Sequence, residues 1–278
     1  MKKLFGLFLL AQIFLTCQKE LPEENVRGKI LYYSENNYLY AYDLASTEKH
    51  RVGSTSFGVR WSHKGDKIAI NTSSQLIIID AYTYDTLLIR SLNMGSGGLA
   101  WSQDETEIAY TVQNGSKIYR MNLQTFAVNE ITIPNGYTIS GRAAFDWSST
   151  TNLFLFQANV LKAKLCTIST DGSNFKELLA DAFFDNPRFS PDGKRIAYSD
   201  YLDDLYLVDV SGSNKSLFWK NALNPCWSKD GSMIMATYIK SQTISSATFE
   251  IHVKEVNGKK REATIVGAQA NLADWYSE

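Results

Sequence analysis

Residues 189–198 read Phe-Ser-Pro-Asp-Gly-Lys-Arg-Ile-Ala-Tyr. An aromatic-serine pair is followed by a turn signal and then by a short apolar run. Asp-Gly marks a hairpin, because glycine takes a positive φ without steric cost. Ile-Ala-Tyr seven residues after the aromatic reads as a strand. The same phrase recurs at Trp227-Ser228-Lys229-Asp230-Gly231 and, with less of the turn retained, at Trp61-Ser62, Trp101-Ser102 and Trp147-Ser148. A sixth copy opens at Trp275-Tyr276, just before the chain stops at Glu278. The intervals are 40, 46, 42, 38 and 48 residues. A period of this size belongs to radial or stacked repeats, whose units cannot bury their apolar faces alone.

Each complete copy predicts four antiparallel strands. Seven residues beyond the aromatic stand Ile68, Ile108, Phe154, Ile196 and Ile234, each opening a second strand. Third strands are expected at 76–80, 118–122, 165–169, 205–209 and 249–255, followed by a turn and an outer strand. Copies two and three carry Glu105 and Thr151 where the turn glycine is expected, so their turns are expected to differ in type. Four strands in about 40 residues is a propeller blade. The last copy lacks its later strands, and the N-terminal region supplies them: 28–33 matches the second strand, 38–43 the third and 49–53 the fourth. The expected fold is therefore all-β: a six-bladed β-propeller of four-stranded antiparallel blades, closed by a C-terminal inner strand plus three N-terminal strands. Closure leaves no free inner edge.

With these residues in view, 189–198 and 227–231 resemble the PD40, or TolB-like, WD40-like propeller repeat, and the resemblance covers about residues 28–278. True WD40 blades end their third strand in Trp-Asp, whereas here Trp-Ser ends the first. TolB itself carries an α/β domain ahead of its propeller. This chain is expected to have only a short tether there, so the partners of TolB are not carried over.

The N-terminus reads as an export signal. Lys2 and Lys3 precede a largely apolar run from Leu4 to Leu15, too short to span a bilayer. Phe14-Leu15-Thr16-Cys17 resembles a bacterial lipobox of the looser Bacteroidetes type. Phe14 stands where Leu is usual, and Thr16 where a small residue is usual. The resemblance implies a signal peptide over 1–16, lipidation of Cys17, a polar tether to residue 27, and attachment to the outer membrane of the cell envelope. Cys166 and Cys226 lie in different repeats and are read as small buried hydrophobes rather than a disulfide.

Net charge is −1, which argues against a nucleic-acid partner. His50, His63 and His252 fall at unrelated strand positions and have no metal-ligand spacing, so no metal, cofactor or catalytic set is expected. Asp200, Asp203 and Asp204 crowd one hairpin and are read as an acidic turn. Trp219 matches no copy of the motif and leaves a surface patch open as a reading. The long excursion at 239–247 is Ser/Thr/Gln-rich, a composition that suits glycan or peptide contact and equally suits a loop with no ligand.

The sharpest pattern is the residue before each motif aromatic, which sits on the inner strand near the axis. Around the ring these are Arg60, Ala100, Asp146, Arg188, Cys226 and Asp274. Asp146 neighbours Arg188, and Asp274 neighbours Arg60 across the closure. Two readings follow: inter-blade salt bridges that hold register, or a polar channel mouth for a small anion, a sugar or a peptide end. The functional expectation is a monomeric envelope lipoprotein acting as a binding or scaffolding module for a protein or glycan. The alternative is a carbohydrate-active lyase or hydrolase with its site at the channel mouth.

Overall fold

The computed structural model describes Leu21 and residues 26–278, apart from 35, 55, 141–143, 161, 182–183, 244–245, 258–260 and 268. The stretch read as a signal peptide and Cys17 lie outside the described residues. Six antiparallel sheets form a ring, and no helix occurs among the described residues. Blade one comprises Gly58–Trp61, Lys67–Asn71, Gln75–Asp80 and Thr86–Ser91. Blades two, four and five repeat this order from Leu99–Trp101, Asp185–Phe189 and Ala222–Trp227. In blade three the innermost place is split between Thr138–Ile139 and Phe145–Trp147, both paired with Leu153–Asn159.

Blade six closes the ring as expected. Its inner strand, Asn271–Tyr276, pairs with Lys29–Tyr33, followed by Leu39–Asp43 and Lys49–Gly53. The pairing of Ile30 with Trp275 puts the sixth motif in register with Lys29–Tyr33.

The Ile-Ala-Tyr runs have a simple physical cause. Successive side chains of a strand point to opposite faces, and in a propeller both faces of each blade are covered. Ile196 and Tyr198 therefore enter the core shared with blade three, while Ala197 enters the core shared with blade five. Ile108, Tyr110 and Ala109 divide in the same way between the cores on either side of blade two. Six apolar clusters result, one at each junction between blades. Every motif aromatic packs in the cluster toward the preceding blade.

The motif serines are buried and organise the turns. Ser190 Oγ donates to Asp192 Oδ1 at 2.6 Å and accepts the Arg195 N–H at 2.9 Å. Ser102 and Ser228 make the same two bonds with Asp104 and Asp230 as acceptors. Gly193 takes φ +69° there. Blade two differs from expectation, since it keeps the same turn without glycine. Glu105 adopts φ +61°, and its N–H still reaches the Ser102 carbonyl at 3.0 Å. Its buried carboxylate offsets the strained backbone by accepting the Lys64 N–H of blade one at 2.7 Å. Blade three is the one that departs: Thr151 donates to Ser148 Oγ at 3.0 Å without a left-handed residue.

Three further expectations change. Trp219 is buried, packed against Phe218, Tyr238 and His252, and offers no surface patch. The excursion of blade five is mostly a hairpin extension, with strands reaching Gln242 and resuming at Ala247. Leu21 and Val26, in the stretch read as a tether, are buried between blades five and six, and the Leu21 N–H meets the Glu262 carbonyl at 2.9 Å.

Removing residues 271–278 should abolish cooperative thermal unfolding and promote aggregation, because it exposes the paired edge of Lys29–Tyr33. A truncated protein that stays monomeric in light scattering and melts cooperatively would contradict this closure.

The Asp192 carboxyl is held below its usual range, chiefly by the Ser190 hydroxyl. A carboxylate whose pKa is depressed on folding stabilises above its unfolded value, and that stabilisation is lost as pH falls through the folded value. Ser190→Ala should cost about 1 kcal/mol at neutral pH. The deficit should shrink below roughly pH 4, as seen in thermal melts at the two pH values.

Candidate functional site at the channel mouth

The inner strands touch in the order Gly58–Trp61, Leu99–Trp101, Phe145–Trp147, Asp185–Phe189, Ala222–Trp227 and Asn271–Tyr276, which returns to the first. A pocket of about 490 Å³ opens on the ring axis at the end where the first turns lie. It is built in three tiers, each taking one residue per blade. The floor is the residue before each aromatic: Arg60, Ala100, Asp146, Arg188, Cys226 and Asp274. The wall is the six motif aromatics. The rim is the residue after each motif serine, or after Tyr276 in blade six: His63, Gln103, Ser149, Pro191, Lys229 and Ser277.

The floor residues singled out from sequence are thus brought together, and their order has a pseudo-twofold repeat. Going round from blade six, Asp274, Arg60 and Ala100 are followed by Asp146, Arg188 and Cys226. The arginines stand on opposite blades, and so do the aspartates.

The expected salt bridges are looser than the sequence suggests. Arg188 approaches Asp146 only to 4.0 Å, and Arg60 forms no ion pair with Asp274 among the described residues. Each aspartate instead spends an oxygen on the backbone of the next blade. Asp274 Oδ2 accepts the Trp61 N–H at 2.7 Å, and Asp146 Oδ2 accepts the Phe189 N–H at 2.9 Å. The blades that carry arginine use a different tie. The Trp101 indole donates to the Arg60 carbonyl and the Trp227 indole to the Arg188 carbonyl, both at 3.3 Å. Register between blades is therefore held by hydrogen bonds to backbone, and the guanidinium groups are left to the channel.

Those groups converge. Arg60 Nη2 lies 3.5 Å and Arg188 Nη1 3.4 Å from the same acceptor, the Phe145 carbonyl. Burial, and next the nearby Arg188, pull the Arg60 guanidinium down to about 10, so it remains charged at neutral pH. Burial pushes the Asp146 carboxyl up against the opposing pull of Arg188 and Arg60. Burial and then Asp274 push the Cys226 thiol up to about 12, which keeps it a neutral, unreactive side chain. Both Cys226 and Cys166 are free and buried, as expected.

Residues 200–204 do not join this site. Asp200 Oδ1 accepts the N–H groups of Leu202 and Asp204 and shapes its own turn. Among the described residues no group of three His, Cys, Asp or Glu side chains is placed to hold a metal ion. Nor does any hydrogen bond there join His63 or Tyr276 to Asp146 or Asp274, the contact that acid–base chemistry at the mouth needs. The rim tier was missed from sequence. Its signal was the position after each serine, which differs in all five Ser-containing copies.

Solved structures share this architecture. TolB from Acinetobacter baumannii superposes with a TM-score of 0.73 at 17% identity, over 90% of this chain and 66% of that one. A protein of the nidogen/laminin complex gives 0.66 at 11% identity, over 89% and 97%. A protein described as TolB from Agrobacterium tumefaciens gives 0.64 at 14% identity, over 90% and 93%. The two TolB neighbours are six-bladed propellers like this chain. At these identities the likeness is one of fold. The chain spans about two thirds of the Acinetobacter protein's length. No protein-family model and no curated protein sequence matches the chain.

Asp274→Ala should destabilise by about 1–3 kcal/mol, because it leaves the buried Trp61 N–H without its acceptor. Arg60→Met keeps much of the side-chain volume and removes one of two cations at a single carbonyl, so it should cost less. Urea unfolding of both variants checks the order. The reverse order would make Arg60 the structural anchor.

Proposed function

We propose that the chain is an envelope lipoprotein whose propeller binds or scaffolds a protein or glycan partner at the channel mouth. The observation that carries this reading is the three-tiered pocket. Its floor and wall stand on inner strands held rigidly by neighbouring blades, while its rim is varied and exposes His63, Gln103 and Lys229. Rigid scaffolds that present variable turns suit recognition. Fold analogy supports the reading: two of the neighbours are TolB proteins, and another is seen in a complex of nidogen with laminin. Analogy alone does not name a partner.

Lipidation of Cys17 has a geometric consequence in this reading. Leu21 is docked beside the outer strand of blade five, so only three residues lie between it and the anchor, a span of four Cα-to-Cα steps. Extended, they reach at most about 14 Å. The propeller would then sit close to the membrane with blades five and six nearest, rather than swing on a long tether.

Two measurements test the proposal. Cys17→Ala should abolish palmitate labelling and release the protein from the membrane fraction; persistent labelling would sink the lipoprotein reading. A photo-crosslinking residue at Gln103 or Ser149 should trap a partner in intact cells, whereas one at Leu87 on the outer edge should not. Crosslinks from the outer edge alone would move the binding surface away from the channel.

A further inference from the structure

The floor of the pocket is poorly supplied with acceptors. A guanidinium carries five N–H donors in a fixed planar fork. Arg60 uses one donor on the Val59 carbonyl at 2.7 Å and reaches Phe145 only at 3.5 Å. Its Nε is buried without a partner, although the residue as a whole is only 6% exposed. Arg188, 7% exposed, makes one long bond to the same carbonyl and a 4.0 Å approach to Asp146. The Trp61 indole N–H is likewise buried without a partner, unlike those of Trp101 and Trp227.

The aspartates do not fill this need, because their Oδ2 atoms are committed to the backbone of the next blade. Asp274 Oδ1 faces the Cys226 thiol at 3.7 Å. Two like charges from opposite blades thus meet at one neutral oxygen, with donors to spare and a cavity above them.

Charge and shape narrow what fits. Arg60, Arg188 and Lys229 line the pocket against Asp146 and Asp274, three cationic side chains to two acidic ones, an excess of one positive charge. A single carboxylate neutralises that charge, whereas a phosphate dianion would overshoot it. Planar two-oxygen acceptors also match the guanidinium fork. Above the floor stand six aromatic rings, and the volume is that of a small-ligand pocket. We propose that the channel mouth binds a small monocarboxylate, its carboxylate held between Arg60 and Arg188 and its body against the aromatic wall. This deepens the binding-module reading and rests on it. The carboxylate could belong to a sugar acid or to the free end of a short peptide, and the chemistry of recognition is the same for both.

Isothermal titration of the full-length protein in detergent tests the proposal with two matched pairs: glucuronate against glucose, and an N-acetylated tripeptide acid against its amide. At least one acid should bind saturably and at least tenfold more tightly than its neutral partner, and the pair that responds identifies the source. Arg60→Met and Arg188→Met should each weaken that acid at least tenfold. Lys229→Gln, at an exposed rim position that leaves folding untouched, should weaken the acid severalfold and spare the neutral analogue. Lys254→Met on blade five should change nothing. The site is overturned if no acid saturates at millimolar concentration, if acid and neutral partner bind alike, or if the two arginine variants stay folded and bind normally. Should the arginine variants unfold, indifference of the acid to Lys229→Gln overturns it instead. If Gln103 still crosslinks a partner while the acids fail, the binding module stands and the carboxylate site falls.

Discussion

Every other feature of this protein depends on the requirement that each blade be covered on both faces. A four-stranded sheet of this size cannot stand alone, and here each one lends apolar side chains to two neighbours. The alternation of strand side chains turns that requirement into sequence. Large residues such as Ile196 and Tyr198 go to one junction and the small Ala197 goes to the other. Six junctions close only if the last blade is completed by both ends of the chain. The pairing of Asn271–Tyr276 with Lys29–Tyr33 is therefore the step that makes all six junctions equivalent.

Closure also creates the channel and decides which side chains face it. Inner strands crowd the axis, so only one residue per blade just before the aromatic reaches the floor. The backbone there is tied across blades in two ways, by aspartate carboxylates and by indole N–H groups. These ties explain why the aspartates are poor partners for the arginines beside them. A carboxylate oxygen given to a backbone N–H at 2.7–2.9 Å is held in a direction set by the neighbouring strand rather than by the guanidinium.

Most of the architecture was legible in the sequence because the repeat restates it at each copy. The spacing from aromatic to second strand, the third-strand positions and the shared sixth blade all follow from that periodicity. Departures occur where one side chain replaces a backbone preference or where burial depends on a distant blade. Glu105 keeps a left-handed turn that normally calls for glycine, because its carboxylate finds the Lys64 N–H of the preceding blade. Trp219 reads as an unmatched surface aromatic, yet Tyr238 of the next blade covers it. At the site, the identity of the floor residues was legible and their bonding was not. Adjacency of opposite charges suggests ion pairs, but the choice between side chain and backbone as partner is set by strand geometry that no local spacing encodes.

The three tiers divide the work unequally. The wall aromatics belong to the junction cores, so replacing one would disturb folding as well as the pocket; large-to-small changes of this kind typically cost several kcal/mol. In blades two, four and five the rim residue rides on a turn whose shape the serine and the turn aspartate maintain, which leaves its side chain free of that task, whereas Ser277 is buried and accepts the Lys229 N–H. Between them, the floor combines both roles. Its aspartates secure the blades, whereas its arginines converge on an acceptor too small for two cations, a placement that junction packing does not require. Burial of an incompletely paired charge works against stability. The arginine pair is therefore the part of the inner ring whose chemistry is directed toward the channel instead of toward the fold.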